Sequence, residues 1–118
     1  HREKKACYAS YLKYAVKNEH LFRLIRLMRS EYHTALVTAG SRANSTDILT
    51  WFGEQDSFDL CLTAENVTRA KPDPQGFLKA MEYFNVTPEQ TIIFEDSPAG
   101  IKAAQASGAT LFVVKGFN

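Results

Sequence analysis

Apolar positions along this chain recur at two periods, and the alternation between them lays out the expected fold. Tyr8, Tyr11, Leu12 and Ala15 fall at relative positions 0, 3, 4 and 7, and Leu21, Leu24, Ile25 and Met28 repeat that spacing. Such spacing predicts two amphipathic helices. Thr34-Ala35-Leu36-Val37-Thr38 then reads as a short buried strand. Ala39-Gly40-Ser41 turns it into a helix with Ser45, Ile48, Leu49 and Phe52 on one face and Gly53 at its end. Phe58-Asp59-Leu60-Cys61-Leu62 is a weaker strand, and a polar loop runs from it to Lys71-Pro72-Asp73-Pro74. There Asp73 suits a helix cap and Pro74 the first helical position. Phe77, Ala80, Met81 and Phe84 supply the apolar face of that helix, again at 0, 3, 4 and 7.

Thr87-Pro88-Glu89-Gln90 has the capping-box pattern for one short helical turn. Thr91-Ile92-Ile93-Phe94 follows as a buried strand that delivers Glu95 and Asp96 straight into a helix start, with Ser97 as cap and Pro98 at the first position. Gly100, Ala103, Ala104 and Ser107 give that helix a face of small residues, so its backbone can lie close to the sheet. Gly108 ends it, and Thr110-Leu111-Phe112-Val113-Val114 forms a last strand. Strands alternating with helices predict an α/β fold whose mostly parallel sheet is covered on both faces. No internal repeat, low-complexity segment or second domain interrupts the pattern.

The chain has 118 residues, 45% of them hydrophobic, which supports one core and not two. Lys and Arg number 14 against 13 Asp and Glu, so the formal charge of +1 gives no whole-chain attraction to nucleic acid or to a charged membrane. Lys13, Lys17, Arg23, Arg26 and Arg29 are read as the solvated faces of packed helices. Cys7 and Cys61 match no metal-binding spacing and suit thiols in a reducing compartment, which favours the cytoplasm. No apolar run has the length to cross a bilayer and no secretory signal opens the chain. The Asn-x-Ser/Thr triplets at Asn44, Asn66 and Asn85 are accordingly read as coincidence. Residue 1 is His1 and not methionine, which raises the expectation of a longer gene product.

Chemistry concentrates at the predicted strand ends. Parallel strands place Thr38 with Ala39 and Gly40, Lys71, and Glu95 with Asp96 on one edge of the sheet, where ligands of open α/β folds bind. A hydroxyl and backbone amides at a helix start can hold phosphate oxygens, and a lysine adds a positive charge. Adjacent carboxylates offer hard oxygens to a divalent cation such as Mg²⁺. Each feature also has a plain structural reading. Asp96 and Ser97 can merely cap a helix, Thr38 can be a buried hydroxyl, and Lys71 can be a solvated loop lysine.

Taken in order, Val37-Thr38-Ala39-Gly40-Ser41, Lys71-Pro72-Asp73-Pro74 and Phe94-Glu95-Asp96-Ser97-Pro98-Ala99-Gly100-Ile101, with Ala103-Ala104 and Ser107-Gly108, resemble three motifs of a known family. They look like the second, third and fourth motifs of the haloacid dehalogenase superfamily, in particular its β-phosphoglucomutase-like and phosphoglycolate phosphatase-like branch. The resemblance covers roughly residues 20 to 118, and implies a Rossmann-like three-layer core over 20–118 with 1–19 as the end of a helical cap or connector. It further implies that Thr38 and the Ala39 amide bind a phosphoryl group and that Lys71 steadies the nucleophile and the phosphoryl charge. Asp96 with Glu95 would hold Mg²⁺, and Ser97 would support that metal site.

The implied activity is Mg²⁺-dependent phosphoryl transfer through an aspartyl-phosphate, as a phosphatase of small phosphorylated metabolites, sugar phosphates foremost. A phosphoglucomutase is the alternative within the same chemistry. The family's first motif, D-x-D, which supplies the nucleophilic aspartate, is absent from the sequence. Its strand would be central in the sheet, between the strands leading to Thr38 and to Glu95. The sheet is therefore expected to lack its middle strand, and the nucleophile to lie in an upstream segment needed to complete both sheet and site. The chain by itself is then expected to be inactive. A protein that closes its sheet differently and keeps only a noncatalytic phosphate and metal pocket is the remaining alternative.

Overall fold

The computed structural model describes the backbone of residues 5–9 and all of residues 19–114. Among the described residues one sheet contains β1 (Lys5–Ala9), β2 (Tyr32–Val37), β3 (Leu60–Leu62), β4 (Thr91–Glu95) and β5 (Thr110–Val113). Their spatial order is β3-β2-β1-β4-β5, and every pairing is parallel. The helices are α1 (Glu19–Met28), α2 (Arg42–Phe52), α3 (Gln75–Phe84) and α4 (Pro98–Ser107).

Strand alternation distributes those helices over both faces. Ala35, Val37 and Ile93 point to one side and pack with Phe77, Ala80 and Met81 of α3 and with Ala103 and Ala104 of α4. Leu36 and Phe94, at the intervening positions, point to the other. There Phe94 meets Leu21 and Ile25 of α1, and Leu36 meets Phe22 of α1 and Leu49 of α2. The result is the three-layer α/β architecture that the element order predicts.

Local signals act as the sequence suggests. Ser41 Oγ accepts from the Asn44 amide at the start of α2, and Gly53 ends that helix in the left-handed conformation. Ser97 Oγ accepts from the Gly100 amide at the start of α4, with Pro98 first in the helix, and Thr87 and Gln90 form the capping box. Asp73 and Pro74 each sit one position earlier than expected: Pro74 is the N-cap of α3 and not its first residue, and Asp73 just outside it accepts from the Gln75 amide through Oδ1.

The middle of the sheet departs from expectation. Lys5–Ala9 fills the central slot, pairing with β2 from Lys5–Tyr32 to Ala9–Leu36 and with β4 from Ala6–Thr91 to Ala9–Phe94. This corrects the expected missing strand and the placement of the whole of 1–19 outside the core. Tyr8, assigned to a helical face, lies in this strand, while Tyr11, Leu12 and Ala15 fall outside the described residues. Helical spacing at four positions is a weak local preference. Unpaired inner edges on β2 and β4 would cost about 1–3 kcal/mol for each buried amide or carbonyl left without a partner, and pairing overrides the local preference.

Two smaller differences concern α1. Phe22 is buried in place of Leu24, because its ring packs edge-on against Phe52 and Phe58, each with centroids 6.1 Å away. Arg26 and Arg29 also do more than face water. Arg26 pairs with the buried Glu54, and Arg29 binds the Asp56 carbonyl and Asp59 Oδ1, tying α1 to the loop after α2.

Candidate functional site

One ammonium group joins the carboxyl ends of β2 and β4. Lys71 Nζ donates to the Val37 carbonyl at 3.0 Å and to Glu95 Oε2 at 3.0 Å, and stands 5.3 Å from the centroid of the Phe77 ring. Ala9 is paired with Leu36 on one side and Phe94 on the other, so Val37 and Glu95 lie one residue beyond the last pairings of β1. Lys71 thus spans the end of the central strand. Its loop is folded back by Gln75, whose Oε1 accepts from the Thr68 and Arg69 amides at 2.8 Å each.

The same strand parity explains Glu95. It follows Ile93 by two residues, so its side chain enters the face covered by α3 and α4 and is almost fully buried. Oε1 accepts from the Asp96 amide at 3.0 Å and from the Ser97 amide and hydroxyl at 3.3 Å. A carboxylate beneath the first turn of α4 also gains from the helix dipole. Ser97 serves twice, donating its O–H to Glu95 and accepting from the Gly100 amide. Removing either Lys71 or Glu95 would leave a buried charge without its counter-ion.

Thr38 continues β2 beyond its last strand residue. Its amide donates to the Leu62 carbonyl at 3.0 Å and its Oγ1 accepts from the Gly40 amide at 3.1 Å, leaving the hydroxyl proton to donate. Ala39 is exposed, and among the described residues no acceptor meets its amide. A cavity of about 130 Å³ opens beside Thr38, Ala39 and Lys71, walled by Val37, Leu62 and Val67. Its far rim is the turn at Thr63. Glu65 there accepts from the Thr63 hydroxyl and the Arg42 amide, and these bonds hold its carboxyl below the usual glutamate range. Burial pushes the Cys61 thiol up on the neighbouring strand, against a smaller opposing effect of Arg42.

Asp96 sits half-buried at the end of β4, next to Glu95. Among the described residues no group of three or more His, Cys, Asp or Glu side chains gathers as a ready-made metal cage. Asp96, half-buried just past Glu95, offers a carboxylate of the kind Mg²⁺ takes from a protein before completing its shell with phosphate and water, whereas both oxygens of the buried Glu95 are engaged by Lys71, the Asp96 and Ser97 amides and the Ser97 hydroxyl. No helix among the described residues is long and apolar enough to cross a membrane.

The structure therefore links Lys71, Glu95 and Ser97 by direct hydrogen bonds, and attaches them through Val37 to the strand end that carries Thr38 and Ala39. Sequence reasoning missed the Val37 carbonyl, the Phe77 ring and the Gln75 clamp. Phe77 was legible only as core, and a backbone carbonyl or loop-folding amide leaves no residue-type signal.

Comparison with known proteins identifies the family of the chain and agrees with its fold. Residues 10–114 match the family model described as haloacid dehalogenase-like hydrolase. The chain is 41% identical over 85 residues to a validoxylamine A 7'-phosphate phosphatase from Streptomyces hygroscopicus, spanning 72% of this chain and 40% of that protein. It is 30% identical over 109 residues to a phosphorylated carbohydrates phosphatase from Thermotoga maritima, spanning 92% of this chain and 49% of the relative. In structure it resembles a putative β-phosphoglucomutase from Thermotoga maritima, with TM-score 0.78, 28% identity, and coverage of 86% of this chain and 48% of the other. The chain thus spans about half the length of the relatives it matches.

Proposed function

Because this chain belongs to the haloacid dehalogenase-like hydrolase family, we propose that it forms part of a Mg²⁺-dependent phosphatase of small phosphorylated metabolites, phosphorylated carbohydrates in particular. The observation that carries the reading is Lys71 spanning the ends of β2 and β4 beside the Thr38 hydroxyl and the Ala39 amide. That is where a phosphoryl group on a nucleophile at the end of the central strand would need its charge offset. The names of the relatives, phosphatases of phosphorylated carbohydrates and of validoxylamine A 7'-phosphate, support the substrate class. A pair of cysteines without metal-binding spacing and a metabolite substrate suit the cytoplasm.

In this reading the Thr38 hydroxyl and the Ala39 amide donate to phosphoryl oxygens. Lys71 contributes a fixed positive charge, and Glu95 holds it in place. Asp96 would hold Mg²⁺, while Glu95 beside it is held by Lys71, and Ser97 steadies that corner through Glu95. The cation, when bound, offsets negative charge on the phosphoryl oxygens. The nucleophile is an aspartate that attacks phosphorus and expels the alcohol, and water then hydrolyses the aspartyl-phosphate. No D-x-D occurs in the chain, so this aspartate belongs to another part of the complete protein. Its strand and Lys5–Ala9 then compete for the slot between β2 and β4.

The test is a panel of phosphate esters given to the complete protein with Mg²⁺. Release of inorganic phosphate from sugar phosphates, with none released by the 118-residue chain alone, is the expected result. Interconversion of hexose 1- and 6-phosphates without net phosphate release would make it a mutase. Phosphate binding without turnover by the complete protein would leave a noncatalytic module and overturn the enzyme reading.

A further inference from the structure

The space for the Glu95 carboxylate comes from a missing side chain. A Cβ built on Gly100 would lie 2.0 Å from Glu95 Cδ, 2.2 Å from Oε2 and 2.5 Å from Cγ. All three are far inside van der Waals contact. Gly40 and Gly108 leave 3.5 Å, Gly53 faces open space, and Gly76 is tight only against a Val37 methyl, at 2.9 Å. The oxygen that a Gly100 side chain would displace is the one that receives the Lys71 ammonium.

We propose that Gly100 is a positioning residue for Lys71, acting through Glu95: its bare Cα leaves the space under α4 from which the carboxylate reaches the lysine. The obstructed atoms are the end of a flexible side chain and not backbone. A methyl at position 100 is therefore accommodated by Glu95 swinging away, with α4 intact. Lys71 keeps its bond to the Val37 carbonyl but loses its ionic partner. Glycine is the poorer helix former, and helix propensity alone favours alanine here. The glycine thus opposes local helix stability in favour of lysine placement. This inference rests on the phosphatase reading for its kinetic consequence but not for its geometry.

Two measurements on the complete protein test it. The first reads Lys71 directly by ¹⁵N NMR of lysine ammonium groups, which are visible when hydrogen-bonded and slow to exchange. Wild type is expected to show a Lys71 resonance, identified by its loss in Lys71→Met, and Gly100→Ala to shift it to the position seen in Glu95→Ala, with the melting temperature lowered by the loss of the buried ion pair. The second is kinetic. Gly100→Ala is expected to lower kcat by about 10–100-fold, the usual range for removing a partner that orients a site group, with KM changed little. In a Glu95→Ala background the same substitution should add less than about a twofold loss, because the two changes remove one interaction. A Lys71 resonance at its wild-type position in Gly100→Ala overturns the proposal. So does a kcat loss that adds in full to that of Glu95→Ala. If wild type hydrolyses no phosphate ester, the phosphatase reading fails while the resonance still decides the role of Gly100.

Discussion

Lys71 and Glu95 form a buried ion pair, Nζ to Oε2 at 3.0 Å, with the lysine side chain 14% exposed and the glutamate 1%. Twenty-four positions apart in sequence, they meet because the loop before α3 and the last residue of β4 arrive on the same face of the sheet. The pair is the join between the two halves of the candidate site, and it sets the first prediction. Lys71→Met removes one charge and leaves the other buried, which should cost about 3–5 kcal/mol in urea denaturation. Lys71→Met with Glu95→Gln should recover most of that loss. A double variant as unstable as the single one would show that the pair is not coupled.

The central strand supplies the second. Pro at Cys7 removes an amide from a strand paired on both sides, so Cys7→Pro should destabilise the chain by at least about 1–3 kcal/mol, the cost of one buried group left unpaired. If, as proposed, the nucleophile's strand takes that slot in the complete protein, the same change there should cost less than about 0.5 kcal/mol, as surface changes do. Equal losses in both would place Lys5–Ala9 permanently in the sheet.

Ser97 and Ser41 cap their helices through equivalent bonds, from the Gly100 and Asn44 amides. Each change to alanine should cost about 1 kcal/mol. Only Ser97→Ala should also lower phosphatase activity, since only that hydroxyl touches Glu95. Equal activity in the two variants would confine Ser97 to capping.

Glu65 provides a pH-dependent tether. The Thr63 hydroxyl, its own amide and the Arg42 amide stabilise its ionised form, so its folded-state pKa is depressed. The tether's contribution is complete above the ordinary glutamate pKa of about 4.3 and is lost as pH falls through the lower folded value. An NMR titration should place the Glu65 midpoint below that of a model peptide, and the Arg42 amide resonance should follow it. Glu65→Gln should make the Arg42 amide insensitive over that range. A midpoint at or above the peptide value would contradict the tether.

How much of this was legible in the sequence depends on how locally each feature is encoded. Caps at Thr87 and Ser97, stops at Gly53 and Gly108, and the small face of α4 depend on residues within one helical turn, and all are found. The apolar runs of β2 and β4 mark them as buried strands, but which side chain meets which helix layer is visible only in the structure. Lys5–Ala9 was misread because strand identity there depends on two neighbours far along the chain. Phe22 displaced Leu24 from the core for a similar reason, since its partners Phe52 and Phe58 lie about thirty residues away. Thr38, Lys71 and Glu95 were recognisable as residue types at strand ends. That Lys71 takes both its acceptors from β2 and β4, and that Gly100 makes room for one of them, is three-dimensional information.

The proposed function requires Asp96 and Lys71 to serve one phosphoryl site with Mg²⁺. The direct measurement is phosphate release from a phosphorylated carbohydrate by the complete protein, with Mg²⁺ titrated back after EDTA, for wild type, Asp96→Asn and Lys71→Met. Activity restored by Mg²⁺ in wild type, and lower by at least about a hundredfold in both variants, as when one preorganised charge-stabilising group is removed, is the predicted result. EDTA-resistant turnover, or wild-type rates in Asp96→Asn, would contradict it.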